Sequence, residues 1–138
     1  MKVFLDTNIL LDVLVERANQ RFTENAAKIL GLGSDGVIEL NMSVLSITTI
    51  AYVLKDMPSH RKKSIIKDLT SIVKVLPSLP EHVSNMLDNP MKGIEDALQV
   101  QSAMEGQCDI IVTRDIHDFQ NSELPVITPD DLLERILG

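Results

Sequence analysis

The chain has 138 residues, of which 44% are hydrophobic and only 3% aromatic, and its formal net charge is −7. This length predicts one domain, residues 1–138, with a single core built mainly from aliphatic side chains. The acidity excludes bulk attraction to nucleic acid, and the shortage of aromatic rings excludes a surface that binds single strands by base stacking.

Apolar residues at strand and helix spacing divide the chain into alternating elements. In chain order, the spacing predicts a strand at 3–5, a helix at 9–14, a polar joint at 17–20, a helix at 22–32, a strand at 40–42, a helix from 43 or 46 to about 57, a helix from 59 or 60 to about 72, a strand at 73–76, helices at 80–87 and 94–104, strands at 110–113 and 125–127, and a closing helix from 129.

Capping residues mark several helix ends. Thr7 or Asn8 can cap the first helix, and Thr128 before a proline is typical of the start of the closing helix. Three glycines are expected to end the second helix: Gly31, Gly33 and Gly36.

The order of elements indicates the fold class. Strands alternate with helices, and the strands are near-continuous apolar runs, as in sheets that are covered on both faces. The pattern predicts a three-layer α/β/α sandwich with a mostly parallel sheet, in which the strand at 110–113 looks central.

Cysteine usage and hydropathy indicate the compartment. Cys108 is the only cysteine, which excludes a disulfide within the chain and fits a reducing compartment. Its place at a strand edge predicts a small core residue. No apolar run approaches the roughly 18 residues that cross a membrane. Polar residues interrupt the first apolar stretch, unlike a signal peptide. We expect a soluble, cytoplasmic protein without membrane contact.

Of four candidate aspartates, three fall where this fold gathers ligands, beyond the carboxyl ends of parallel strands. Asp6 directly follows the first strand, and Asp115 and Asp118 follow the fourth. Asp96 lies in the first turn of a helix. Each alone is an ordinary helix cap or solvated charge. Crowded carboxylates, however, need a cation or a proton, and Mg²⁺ and Mn²⁺ prefer oxygen ligands. We therefore expect a divalent-metal site that activates water and stabilises a phosphoryl group.

Three segments that contain these acids resemble the signature segments of PIN domains, which include the toxin ribonucleases of bacterial toxin–antitoxin pairs. They are Phe4-Leu-Asp-Thr-Asn8, Ile94-Glu-Asp-Ala-Leu-Gln99 and Val112-Thr-Arg-Asp-Ile-His-Asp-Phe119. The resemblance extends over essentially the whole chain. It implies a PIN-like fold and Mg²⁺- or Mn²⁺-dependent hydrolysis of RNA phosphodiester bonds.

The resemblance also implies residue roles. It assigns metal binding and catalysis to four acids: Asp6, Asp96, Asp115 and Asp118. It makes Asn8 a polar neighbour of the metal, and it gives Thr113 the role of orienting the last acid. Two interpretations of Arg114 stay open, a contact with substrate phosphate and a structural ion pair.

One position departs from the family's pattern. PIN domains usually carry another acid, often Glu, in the helix after the second strand, and the matching position here is about Thr49. Glu39 lies at the other end of that strand, and Glu95 points about 100° away from Asp96 around the helix. We expect weaker metal binding, with a single ion or a complete loss of activity as open alternatives.

Two other functions compete with hydrolysis of RNA. Phosphoacceptor aspartates also follow a strand, but they need a further acid nearby and a late lysine, which this sequence lacks. A PIN-like domain with an incomplete acidic set can serve instead as a module that binds RNA or protein. The resemblance further implies three partners: an RNA substrate, a cognate antitoxin protein and a second copy of the chain in a homodimer.

Overall fold

The computed structural model describes residues 1–15 and 19–138, so residues 17 and 18 of the predicted polar joint lie outside the described residues. In chain order the elements are β1 (Lys2–Leu5), α1 (Thr7–Leu14), α2 (Gln20–Ser34), β2 (Glu39–Ser43), α3 (Val44–Val53), α4 (Ser59–Thr70), β3 (Val73–Leu76), α5 (Pro80–Leu87), α6 (Ile94–Glu105), β4 (Ile110–Val112), a 3-10 turn (Ile116–Phe119), β5 (Val126–Ile127) and α7 (Pro129–Leu137). None of the helices in these ranges has both the length and the apolar character that crossing a membrane requires.

The five strands form one sheet in the order β3-β2-β1-β4-β5, and every pairing is parallel. The predicted α/β fold is confirmed, and the mostly parallel sheet is entirely parallel. The central strand is β1, whereas the sequence favoured the strand at 110–113, which is its neighbour β4. Since parallel strands run in one direction, the residues that follow β1 and β4 meet at the same edge.

Helices cover both faces of this sheet. In β1, Val3 and Leu5 belong to one apolar cluster, which α1, α2, α3, α4 and α7 complete. Phe4 points to the opposite face and joins a second cluster with Ala97 and Val100 of α6. This alternation is the period-two pattern of a strand, and burial of both faces explains why the strands read as continuous apolar runs. Cys108 is a buried member of the second cluster, as predicted.

Helix caps follow the sequence at one end of the chain and depart from it at the other. The Thr128 hydroxyl accepts a hydrogen bond of 3.1 Å from the backbone N–H of Asp131, which confirms the predicted cap of α7. For α1 the prediction was wrong, because Asp6 occupies the capping position and no side chain caps the helix. The hydroxyl of Thr7 instead forms a 2.7 Å hydrogen bond with Ser46 of α3.

Glycines end α2 only in part. Gly31 and Gly33 lie inside the helix, and Gly36 alone follows its end, with a φ of 76° in the left-handed region. A Cβ atom on Gly33 would collide with the side chain of Leu40 in β2. Gly33 therefore lets the helix approach the sheet, and the expectation that it stops the helix was wrong.

The cap of α7 gives a test of the fold. Replacement of Thr128 by Ala removes the oxygen that satisfies an unpaired N–H of the first turn, so we expect a loss of about 1 kcal/mol in the free energy of unfolding. Thr128→Ser keeps that oxygen and is the matched control. Urea denaturation of the three proteins measures the difference, and an alanine variant as stable as the serine variant would contradict the cap.

Candidate active site

Asp6 is fixed at the end of the central strand by its neighbours. Its backbone N–H donates to the carbonyl of Val112 at 3.0 Å, which continues the pairing of β1 with β4 by one residue. This places its side chain beside Thr113, whose hydroxyl donates to Oδ2 at 2.7 Å. The amide of Gln99 in α6 donates to Oδ1 at 3.2 Å. Both carboxylate oxygens therefore accept a hydrogen bond from the protein, which matters because only 4% of the residue is exposed to water.

Asp96 approaches Asp6 from α6. It lies in the first turn of that helix, where the macrodipole favours a negative charge, and it is half-buried. The amide of Gln99 lies 3.5 Å from its Oδ1 and so spans the two carboxylates. A Cβ atom on Gly93 would lie 2.9 Å from Oδ2, so the glycine leaves room for this carboxylate.

Asp115 and Asp118 complete the acidic group from the loop after β4. The backbone N–H of Asp115 donates to the Thr113 hydroxyl at 3.0 Å, so one hydroxyl links Asp115 to Asp6. The 3-10 turn then brings the backbone N–H of Asp118 within 3.0 Å of the Asp115 carbonyl. Both side chains are exposed, in contrast to that of Asp6.

The charges of these acids act on one another. The pKa of Asp96 is raised to about 6, first by burial and then by the charges of four nearby acids: Asp6, Asp118, Glu95 and Asp115. Burial also raises the pKa of Asp6 above its usual value, against the lowering effect of the hydrogen bonds from Thr113 and Gln99. The structure therefore brings the four predicted aspartates into one electrostatic neighbourhood.

The donor chemistry of this neighbourhood fits a hard divalent cation, because carboxylate oxygens predominate and the site carries excess negative charge. The arrangement, however, is open. Within residues 1–15 and 19–138, no three Asp, Glu, His or Cys side chains are grouped closely enough to hold a metal ion together. The structure thus assembles the acids at one edge without arranging them as a finished ligand cage.

A cavity of about 230 Å³ adjoins the acids. Its walls come from the loop before α6 and from the 3-10 turn, and the lining residues are Lys92, Gly93, Asp96, His117, Asp118, Gln120 and Asn121. A larger groove of about 720 Å³ opens near the amino ends of β1 and β2 and contains none of the four aspartates. Of these two cavities in the described part of the chain, the smaller one combines space for a ligand with the acidic group.

Two other predicted site residues, Asn8 and Thr49, lie outside the cavity that adjoins the four aspartates. Asn8 is half-buried in the first turn of α1, directly after the strand that carries Asp6. Thr49, at the position of the missing acid, lines a separate groove with Glu95, and its hydroxyl donates to the Leu45 carbonyl at 3.5 Å. Neither residue lines the cavity with Asp96 and Asp118.

Of the two interpretations of Arg114 that the sequence left open, the structure shows the ion pair. Its Nε lies 2.8 Å from a carboxylate oxygen of Asp12, which is fully buried, and its guanidinium stacks on the ring of Phe22 at 4.2 Å from the centroid. This ion pair joins the loop after β4 to α1. The alternative contact with substrate phosphate has no support in this geometry.

Gln99 is the site residue that the sequence reasoning missed. It lies three positions after Asp96, so one helical turn places both side chains on the same face of α6. This spacing was a readable signal. A neutral amide, however, is not itself a ligand that Mg²⁺ or Mn²⁺ prefers, so the acidic pattern alone does not indicate it.

This chain is similar in sequence to a known domain family and to a known ribonuclease. Residues 2–117 match the PIN domain. The chain is 29% identical to "Ribonuclease VapC1" of Aquifex aeolicus (strain VF5), in an alignment that covers 97% of this chain and 94% of that protein.

Solved structures show the same fold at lower identity. The structure of VapBC2 from Rickettsia felis bound to a promoter DNA fragment gives a TM-score of 0.69 at 14% identity, covering 93% of this chain and 98% of that chain. The structure of VapBC-1 from nontypeable Haemophilus influenzae gives 0.67 at 18% identity, covering 94% and 99%.

The raised pKa of Asp96 predicts a pH dependence of stability in EDTA. In the unfolded chain an aspartate titrates near pH 4, and in the folded protein this one titrates at about 6. The group therefore adds stability below about pH 4, and that contribution is lost as the pH rises through 6. Asp96→Asn removes this dependence.

Urea denaturation at pH 4 to 8 measures the difference between the two proteins. We expect the wild type to lose stability relative to Asp96→Asn as the pH rises. Asp68→Asn, at an exposed aspartate of α4, controls for the change of charge and should follow the wild type. A constant difference between wild type and Asp96→Asn at every pH would contradict the shifted pKa.

Proposed function

Because this chain belongs to the PIN domain family, we propose that it is a Mg²⁺- or Mn²⁺-dependent endoribonuclease and the toxin of a toxin–antitoxin pair. The observation that carries the proposal is the meeting of four aspartates from distant parts of the chain at one sheet edge, where burial and the charges of the other three raise the pKa of Asp96. The similarity to a ribonuclease over nearly the full length of both chains supports the same activity.

In this proposal Asp6, Asp96 and Asp118 hold the cation, and Asp115 assists them. A bound divalent ion of this kind lowers the pKa of a coordinated water and neutralises charge at a phosphate. The protein contributes position. Thr113 keeps the buried carboxylate of Asp6 in one orientation, and the exposed side chains at the 3-10 turn give the site an open side for substrate.

The adjoining cavity is the proposed place for the RNA. Lys92 and His117 line it together with Asp96 and Asp118, so hydrogen-bond donors and carboxylates line the same cavity. A phosphate there would lie near Lys92 and near the carboxylates that would hold the cation. A chain of net charge −7 repels nucleic acid as a whole. A local attraction at this cavity would be enough to bind a phosphate in spite of that repulsion.

Protein partners form the second part of the proposal. The solved structures of similar fold include one described as a toxin–antitoxin complex from Klebsiella pneumoniae, which supports an antitoxin for this chain. Helix α3 exposes three apolar side chains, Val44, Tyr52 and Val53. Exposed apolar side chains are suited to cover by protein, and we place the antitoxin or the second copy of a homodimer against this helix.

A cleavage assay tests the proposed activity. With Mn²⁺ and a generic single-stranded RNA, we expect the wild type to cut the substrate and EDTA to stop it. Asp96→Asn should lower the rate at least 100-fold, because it removes a negative ligand while keeping the shape of the side chain. Asp68→Asn is the control and should cut at the wild-type rate.

Two outcomes would contradict the proposal. Cleavage by Asp96→Asn at the wild-type rate would show that the acidic group does not do the chemistry. Binding of RNA by the wild type, without cleavage at any Mn²⁺ concentration, would instead favour the binding module that the uncharged Thr49 position makes the second candidate.

A further inference from the structure

We propose that Gln99 is a positioning residue of the acidic site, whose amide holds Asp6 and Asp96 side by side so that both can face one cation. The inference rests on the proposed function, since it concerns the same site. It adds a residue to which neither the comparisons nor the acidic pattern gives a role. The evidence is a set of hydrogen bonds around one buried side chain.

The orientation of the amide is settled by its partners. The Oε1 atom of Gln99 lies 3.3 Å from the backbone nitrogen of Thr7, and a backbone N–H can only donate. The oxygen must therefore face Thr7, which turns the amide NH₂ group toward the carboxylates. That group has two N–H donors, and its nitrogen lies 3.2 Å from Asp6 and 3.5 Å from Asp96.

The amide is also held from behind. The Thr7 hydroxyl lies 3.4 Å from Oε1 of Gln99 and 2.7 Å from the hydroxyl of Ser46. These contacts join α6 to α1 and α3, and Gln99 and Ser46 are both at most 1% exposed. A buried side chain held by Thr7, which is itself held by Ser46, has little freedom to turn, so the two carboxylates that it contacts are kept at a fixed spacing.

A neutral donor suits this position better than the alternatives. Two carboxylates so close together repel each other, and each lacks water on its buried side. A lysine here would offset part of their charge and compete with a metal ion for the same oxygens. An amide satisfies both carboxylates and leaves their charge available to a cation, which is the usual task of a residue behind metal ligands.

The test compares two buried glutamines of the same helix. Gln101 is 5% exposed, and its Oε1 accepts from Asn85 at 3.1 Å instead of serving the acids. Titration calorimetry with MnCl₂ measures the affinity of the wild type, Gln99→Leu and Gln101→Leu. We expect about a tenfold to hundredfold loss of affinity for Gln99→Leu and a change of less than about twofold for Gln101→Leu.

A second variant and a second readout protect the test from a folding defect. Gln99→Asn keeps a buried amide but is one methylene too short to reach both carboxylates, so it should weaken Mn²⁺ binding like the leucine variant. Far-UV circular dichroism establishes that each protein is folded. In cleavage assays, both variants should need more Mn²⁺ for half-maximal rate, with a smaller change in the KM for RNA.

Each result decides the matter. Wild-type Mn²⁺ affinity in the folded Gln99 variants would overturn the inference, and so would an equal loss in Gln101→Leu. Either failure leaves the proposed ribonuclease standing if the wild type still binds Mn²⁺ and cuts RNA. A wild type that neither binds Mn²⁺ nor cuts RNA would overturn the proposed function and this inference together.

Discussion

A carboxylate buried at the end of the central strand constrains everything around it. With only 4% of Asp6 exposed, water cannot solvate its charge, so protein groups must donate the hydrogen bonds that water would supply. Thr113, directly after β4, and Gln99 of α6 do so, and both lie about a hundred residues further along the chain. The donors are in reach only because β4 pairs beside β1 in register and α6 covers the opposite face from α1.

This constraint links the fold to the proposed chemistry. Neutral groups satisfy the hydrogen bonds of Asp6 but leave its negative charge, and three more aspartates lie within electrostatic reach. Among the described residues, the ion pairs with a guanidinium are those of Asp12 and Asp130, and neither belongs to this group. The balance of charge is thus unfavourable for the protein alone and favours a bound divalent cation.

The fold could be read from the sequence because its signals are local and repeated. Continuous apolar strands, such as Val73–Leu76, and helices with clear ends, such as Pro80–Leu87, are bounded where the spacing predicted. Strand order is not local, and apolar content alone could not tell β1 from β4 as the centre. Gly33 misled for a related reason, since its role depends on Leu40 across the interface and not on its own helix.

Part of the candidate site could also be predicted from local sequence signals. The four aspartates could be picked out because three of them follow predicted strands and the fourth begins a predicted helix, and the structure brings them together at one edge. The sequence does not indicate a role for Gln99, because that role depends on the direction in which its amide points. The contact with Thr7 determines this direction. Arg114 is the reverse of Gln99. It is a charged residue next to the acids in the sequence, but it forms an ion pair with Asp12 of α1.

The grouping of these oxygens around a cation is the central claim. A crystal structure determined after soaking in MnCl₂ tests it most directly, because the anomalous signal of manganese locates the ion without reference to activity. The account predicts a manganese ion in contact with carboxylate oxygens of Asp6 and Asp96, with an acid from the loop after β4 completing the protein ligands. Manganese bound elsewhere on the surface, with these carboxylates unchanged, would contradict it.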